Sequence, residues 1–332
     1  MQYNQRFTLN PGDTIGFFSP SSPITATVPT RYETAKQFLS SKGFKIKEGK
    51  LTGKQDFYRS GTIQERVAEF NALLRDPEVR CIMSTIGGFN SNAMLPYIDY
   101  DAFSADPKII IGYSDVTAVL FALYAKTGIP TFYGPAVVPS FGEVEPFKGL
   151  TYHYFEQVLM HSELPIALVK PEVWTDERKP WHLPYDQKTE NSNEWTIVNP
   201  GSARGRLIAG NLNTMQGIFG TQYMPEIKHG DILLIEDSMK DAMTVERSFA
   251  LLKNAGVFER IGGLMYGKHE LFDDQGTGRK PIDILCEVIG DLPNIPIIDG
   301  VDCSHTHPMF TLPIGAVVEI DTEKEILEII SY

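Results

Sequence analysis

The run Lys108-Ile109-Ile110-Ile111-Gly112-Tyr113-Ser114-Asp115 passes without a break into Val116-Thr117-Ala118-Val119-Leu120-Phe121-Ala122-Leu123-Tyr124, and few folds satisfy both halves. The consecutive isoleucines suit a strand buried on both faces, the condition of an interior strand in a parallel sheet. The apolar stretch that follows reads as a helix, ended by Lys126 and Gly128. A serine at such a strand-to-helix turn is lifted clear of the sheet, with its Oγ exposed and helix-start N–H groups aimed at anything bound beside it. Ser114 is therefore a candidate nucleophile, and an α/β architecture is expected.

The flanking sequence extends that architecture. Thr14 to Phe18 reads as a strand leading into Ser19-Pro20-Ser21-Ser22-Pro23, and Arg31 to Lys42 has helical spacing that Gly43 stops. A helix is predicted from Ile63 to Leu74, then a strand from Cys81 to Ile86, then Gly87-Gly88-Phe89-Asn90 before the serine strand. Strands alternating with helices imply a parallel sheet. From Glu172 to Pro200 the pattern dissolves into charges, prolines and Trp174, Trp181 and Trp195, a loop long enough to be a linker or functional. Regular spacing resumes at Gly205 to Asn211, Asp231 to Ile235, a helix from Thr244 to Asn254, and Gly262 to Tyr266. Ala316 to Ile320 and Glu325 to Ile330 flank Asp321-Thr322-Glu323-Lys324 as a closing hairpin. The expected fold class is α/β with two domains: residues 1–165 with the serine on a parallel sheet, a connecting loop at 166–204, and a second α/β domain at 205–332.

Composition narrows the partners. A chain of 332 residues that is 42% hydrophobic and 22% charged can bury substantial cores. Its net charge of -12 offers no basic field for a nucleic acid. Cys81, Cys286 and Cys303 are too few and too scattered for a disulfide framework, which fits a reducing compartment. Met1 to Pro11 lacks the features of a secretory signal, and no apolar run approaches the roughly 20 residues needed to cross a bilayer. A cytoplasmic protein with neither a membrane nor a nucleic-acid partner is expected.

A serine hydroxyl is a poor nucleophile at neutral pH, so it needs a base, usually a histidine oriented by a carboxylate, and donors for the oxyanion. Without those, Ser114 is a helix N-cap. Val116 stands where an α/β-hydrolase elbow has glycine, which argues against that fold. Among seven histidines, His305 and His307 lie in Asp302-Cys303-Ser304-His305-Thr306-His307-Pro308, after a short apolar strand. Cys303, His305 and His307 alternate and would share a face on an extended segment, the arrangement of a metal site. No CxxC or HExxH accompanies them, and His269-Glu270 is followed by Asp273 where a second histidine should stand, so no metal is expected. Ile232-Leu233-Leu234-Ile235-Glu236-Asp237-Ser238 places two carboxylates at a strand end, and the pattern does not choose between Glu236 and Asp237. The Asp115 amide and the Gly87-Gly88 pair are candidate oxyanion donors, because a glycine backbone approaches a ligand closely.

Taken in order, Thr85-Ile86-Gly87-Gly88-Phe89-Asn90-Ser91-Asn92, Ile111-Gly112-Tyr113-Ser114-Asp115, Tyr133-Gly134-Pro135, Gly210-Asn211-Leu212-Asn213, Leu234-Ile235-Glu236-Asp237, and His305-Thr306-His307-Pro308 with Thr311-Leu312-Pro313-Ile314-Gly315 resemble the LD-carboxypeptidase family of serine peptidases over nearly the whole chain. Ser91-Asn92, Phe132-Tyr133-Gly134-Pro135, Ser140-Phe141-Gly142-Glu143 and Gly267-Lys268-His269-Glu270 look like its microcin C self-immunity branch. The resemblance implies a Ser-Glu-His triad of Ser114, Glu236 and His305, with the backbone amides of Asp115 and Gly88 as oxyanion donors. It picks His305 over His307 because the family's histidine lies three residues before a proline, here Pro308. It also implies a cleft between two α/β domains, no metal or cofactor, and a homodimer. The substrate implied is an aminoacyl group joined to a modified nucleotide, with Trp181 stacking on the base and Asn213 and Lys240 near the nucleotide. Two alternatives stand beside it: a murein LD-carboxypeptidase acting on a cell-wall tetrapeptide, and a non-catalytic α/β sensor.

Overall fold

The computed structural model describes residues 7–161, 163–291, 294–324 and 326–332; Met1 to Arg6 of the polar N-terminus and Glu325 of the closing hairpin lie outside the described residues. In chain order the strands of the first half are β1 (Thr14–Phe18), β2 (Lys45–Lys47), β3 (Val79–Ser84), β4 (Ile109–Gly112) and β5 (Thr131–Tyr133). Short strands follow at β6 (Ile166–Ala167), β7 (Val173–Trp174), β8 (Asn191–Ser192) and β9 (Thr196–Asn199). The second half holds β10 (Ser202–Asn211), β11 (Ile232–Glu236), β12 (Gly263–Gly267), β13 (Ile297–Val301), β14 (Leu312–Ile314), β15 (Val317–Asp321) and β16 (Ile326–Ser331).

Among the described residues these strands form a six-stranded sheet in the order β14-β5-β4-β3-β1-β2, an eight-stranded sheet in the order β6-β16-β15-β10-β11-β12-β13-β9, and the small pair β7-β8. In the first sheet β5, β4, β3, β1 and β2 are mutually parallel, while β14 is antiparallel on β5. β4 is interior and every residue of it is buried, as its isoleucines require. Burying each such side chain contributes roughly 1.5–3 kcal/mol. In the second sheet β10 to β13 are parallel and the outer strands antiparallel. The closing hairpin forms as β15 and β16.

The first sheet reverses its strand order between β1 and β3, so the loops leaving their carboxyl ends part and open a crevice, the usual ligand position of a doubly wound sheet. In the second sheet the carboxyl ends of β10 and β11 face this crevice through Asn211 and Glu236. Between the sheets lies the helix Thr117–Thr127, whose residues 117–123 are all buried, consistent with its apolar character on every side. A Cβ on Gly210 of β10 would stand 2.7 Å from Thr117 Cγ2 and 2.9 Å from Phe121 Cζ, so only glycine lets the second sheet approach the helix this closely.

Several sequence expectations shift. The strand expected at Cys81 to Ile86 runs from Val79 to Ser84, because Val79 already pairs with Thr14 and the Thr85 carbonyl turns away to accept from the Val138 amide at 3.1 Å. The helix after Ser114 begins with a 3-10 turn at Ser114–Val116. The region expected to be one loop contains β6 to β9, of which β6 and β9 sit on opposite edges of the large sheet. β14 leaves the second half of the chain to complete the first sheet.

Candidate active site

Ser114 occupies the turn that ends β4, with φ of 62°, a left-handed conformation uncommon outside glycine and often kept at functional sites. The following α-helix has Val116 at its N-cap with no side-chain capping bond, so Ser114 is not used as a cap. Its Oγ instead lies 2.9 Å from His305 Nε2, and His305 Nδ1 lies 2.7 Å from Glu236 Oε2. The backbone of Gly87 passes beside this turn: a Cβ there would sit 2.9 Å from Ser114 Cβ and 3.0 Å from the Asp115 nitrogen. The Asp115 carboxylate ties the two loops together by accepting from the amides of Asn90 at 3.1 Å and Ser91 at 2.9 Å.

Glu236 is fully buried at the end of β11, where an unpaired charge would be costly. It is satisfied at both oxygens. Oε2 meets His305, while Oε1 accepts from the Tyr133 hydroxyl and, at 2.9 Å, from Asn211 Nδ2. Burial opposes the Glu236 charge, but the imidazole and these hydrogen bonds outweigh it and hold the carboxyl below its ordinary range. Burial likewise opposes a charged His305, yet the facing Glu236 raises the imidazole pKa above its ordinary value. The neighbouring Asp237 is engaged otherwise: its Oδ1 accepts from the Ser238 amide at 2.9 Å and, more distantly, from Asn211 Nδ2 at 3.4 Å, and lies 3.5 Å from Lys240 Nζ.

Tyr133 and Asn211 are the functional positions that residue-level reading missed. Tyr133 accepts from the Ser114 amide at 3.2 Å while donating to Glu236, so one phenol registers both sheets. Asn211 caps the helix Leu212–Gln216 by accepting from the Thr214 amide at 2.9 Å and spends its own N–H groups on the acid. An asparagine before a helix signals a cap, and a tyrosine ending a buried strand signals a needed partner; neither names that partner.

His305 sits on the segment joining β13 to β14, with the Tyr113 ring edge-on at 4.9 Å. The alternation of Cys303, His305 and His307 gathers no metal site: Cys303 is buried, His307 Nε2 faces Glu143 at 3.5 Å, and among the described residues no group of three or more potential ligands forms. Burial pushes the His307 pKa down to about 3 and that of His269 down to about 4. His269 Nε2 accepts from the Lys240 amide at 3.3 Å.

The Ser114 Oγ opens into a cleft whose lining includes Gly88, Trp181, Asn213 and Lys240. Asn213 lies in the first turn of the helix that Asn211 caps. Lys240 Nζ donates to the Ser238 carbonyl at 3.0 Å. The segment carrying Trp181 is fastened on both sides of the indole, by Arg178 on Glu270 at 2.9 Å and by Lys188 on the buried Glu143 at 2.7 Å. A hydroxyl, an imidazole and a carboxylate in a line at the floor of a cleft can run nucleophilic acyl transfer.

Comparison with known proteins finds the LD-carboxypeptidase N-terminal domain over residues 15–134 and the LD-carboxypeptidase C-terminal domain over residues 204–320. The chain is 51% identical to the microcin C7 self-immunity protein MccF of Escherichia coli, over 96% of this chain and 93% of that one. It is 56% identical to a Vibrio cholerae protein whose carboxypeptidase name is provisional, over 94% of this chain and 93% of that one. A solved structure of MccF in complex with aspartyl sulfamoyl adenosine superposes with a TM-score of 0.96 at 50% identity, covering 98% of both chains.

Proposed function

This chain belongs to the LD-carboxypeptidase family, and we propose that within it the enzyme hydrolyses the amide or acyl-sulfamate bond between an aminoacyl group and a modified nucleotide, as in microcin C-type antibiotics and toxic aminoacyl adenylates. The observation that carries this reading is the hydrogen-bonded line from Ser114 through His305 to Glu236, set in a cleft shared with Trp181 and Lys240. The likeness to a protein solved with aspartyl sulfamoyl adenosine supplies the substrate class.

In the proposed reaction His305 Nε2 takes the Ser114 proton as Oγ attacks the acyl carbonyl, and the backbone amides of Asp115 and Gly88 hold the oxyanion. His305 then passes the proton to the leaving nitrogen, and water resolves the acyl-enzyme by the same route in reverse. Glu236 keeps the Nδ1 proton in place and stabilises the imidazolium. Trp181 stacks on the purine, an interaction worth roughly 1–3 kcal/mol. Lys240 supplies a point charge for the phosphate-like group, and Asn213 lies beside it. The same reading makes the protein a cytoplasmic homodimer; three free cysteines fit that compartment, and the dimer follows from the resemblance alone.

The deciding assay offers purified enzyme an aminoacyl sulfamoyl adenosine and a murein tetrapeptide. Turnover of the nucleotide conjugate with little or none of the tetrapeptide is expected; the opposite preference would make the enzyme a cell-wall carboxypeptidase. A pH profile tests the base. Only neutral His305 can accept the serine proton, so kcat/KM rises with pH, and because Glu236 raises the imidazole pKa the midpoint lies above the ordinary value of about 6.5. A rate that stays flat from pH 5 to 9, values spanning roughly that window, would remove histidine from the mechanism.

A further inference from the structure

We infer that Arg31 is a specificity-determining positioning residue, whose guanidinium backs the indole of Trp181 on the side away from the cleft and fixes it as a platform for the nucleobase. The inference rests on the reading that Trp181 stacks on that base.

Arg31 lies in the first turn of the helix Pro29–Ser41 and is buried. Its donors are engaged around the rim of the guanidinium plane. Nε donates to the Val138 carbonyl at 3.1 Å, Nη2 to the Pro139 carbonyl at 3.0 Å and to Glu143 Oε2 at 2.9 Å, and Nη1 to the Tyr185 hydroxyl. A planar cation held by its edges leaves its faces for aromatic contact, and its central carbon sits 4.6 Å from the centroid of the Trp181 ring. Trp181 lines the cleft and Arg31 does not, so the cation meets the indole from outside the cleft lining.

Glu143 makes the arrangement a unit. The carboxylate that clamps Arg31 also accepts from Tyr185 at 3.2 Å and Lys188 at 2.7 Å, two residues of the loop that carries Trp181. Loop and cation are thus moored to one buried anchor, and no strand of the loop itself spans residues 175–190 to hold the indole. A tryptophan on such a segment would lose freedom each time a base stacked on it. A ring whose back face is already occupied meets the base in its final plane, which favours binding without adding a contact to the ligand. The consequence is selective: it strengthens recognition of substrates that carry a base and leaves the acyl-transfer groups alone.

The test compares kcat/KM for an aminoacyl sulfamoyl adenosine with that for the same aminoacyl sulfamate on a ribose lacking its base, in the parent enzyme, Arg31→Met, Arg31→Lys and Trp181→Ala. Both Arg31 variants are expected to lose about tenfold in the ratio of the two values, mainly through KM for the adenosine compound. Arg31→Lys leaves Glu143 a cationic partner, so it decides the matter where Arg31→Met fails to fold. Equal losses on both substrates would make Arg31 a structural residue and overturn the inference. Trp181→Ala tests the premise: an unchanged ratio there removes base stacking, and this inference with it. A ratio lost in Trp181→Ala but kept in both Arg31 variants defeats the role of Arg31 alone.

Discussion

Replacing Ser114 with alanine abolishes turnover, a loss of roughly 10⁵- to 10⁶-fold in kcat for a triad nucleophile, while the Kd for an aminoacyl sulfamoyl adenosine stays within about threefold. The separation follows from geometry. Ser114 Oγ makes its side-chain contact with His305 Nε2, and the surrounding cleft is built by other residues. Alanine and serine carry the same backbone cost at φ of 62°, so the turn is preserved. Product release followed by chromatography gives kcat, and calorimetry on the inert variant gives Kd. Hydrolysis by Ser114→Ala within tenfold of the parent rate, a margin of about 1.4 kcal/mol, would eliminate the covalent route.

Glu236→Gln is the second large effect, about 10⁴-fold in kcat, and the wiring around the acid says why. Tyr133 and Asn211 both donate toward the Oε1 position, so the amide of a glutamine there turns its carbonyl oxygen to them. Its NH₂ group is then left facing His305 Nδ1. An N–H donated to Nδ1 places the imidazole proton on Nε2, the atom that must receive the proton of Ser114. The remaining activity should also titrate at lower pH, because the variant removes the carboxylate that raises the imidazole pKa. A Glu236→Gln enzyme retaining more than about a tenth of the parent kcat would mean the imidazole is oriented by something else.

Much of this was legible in the chain because it rests on local physics. The isoleucines before Ser114 are found in an interior parallel strand, the predicted helix Ile63–Leu74 has those bounds, and a capping box between Thr62 and Glu65 explains its start. The choice between Glu236 and Asp237 was not legible from the strand that ends with them, since both follow the same apolar run. It is made by Tyr133 and Asn211, which the fold brings from other strands, and by an imidazole 69 residues further along. The short strands between residues 166 and 199 escaped for a related reason. Two-residue strands carry no period of their own: β6 exists because the edge of the large sheet is there to pair with, and β7 and β8 because they pair with each other.

The return of β14 to the first sheet has a mechanical consequence. His305 rides on the stretch that leaves β13 in one sheet and enters β14 in the other, so this strap spans the seam between the halves of the molecule. Prising the halves apart like a clamshell would drag the imidazole off the serine and strip a strand from the sheet edge. The imidazole is thereby tied to both sheets at once, and the proton-transfer line holds for as long as the two stay together.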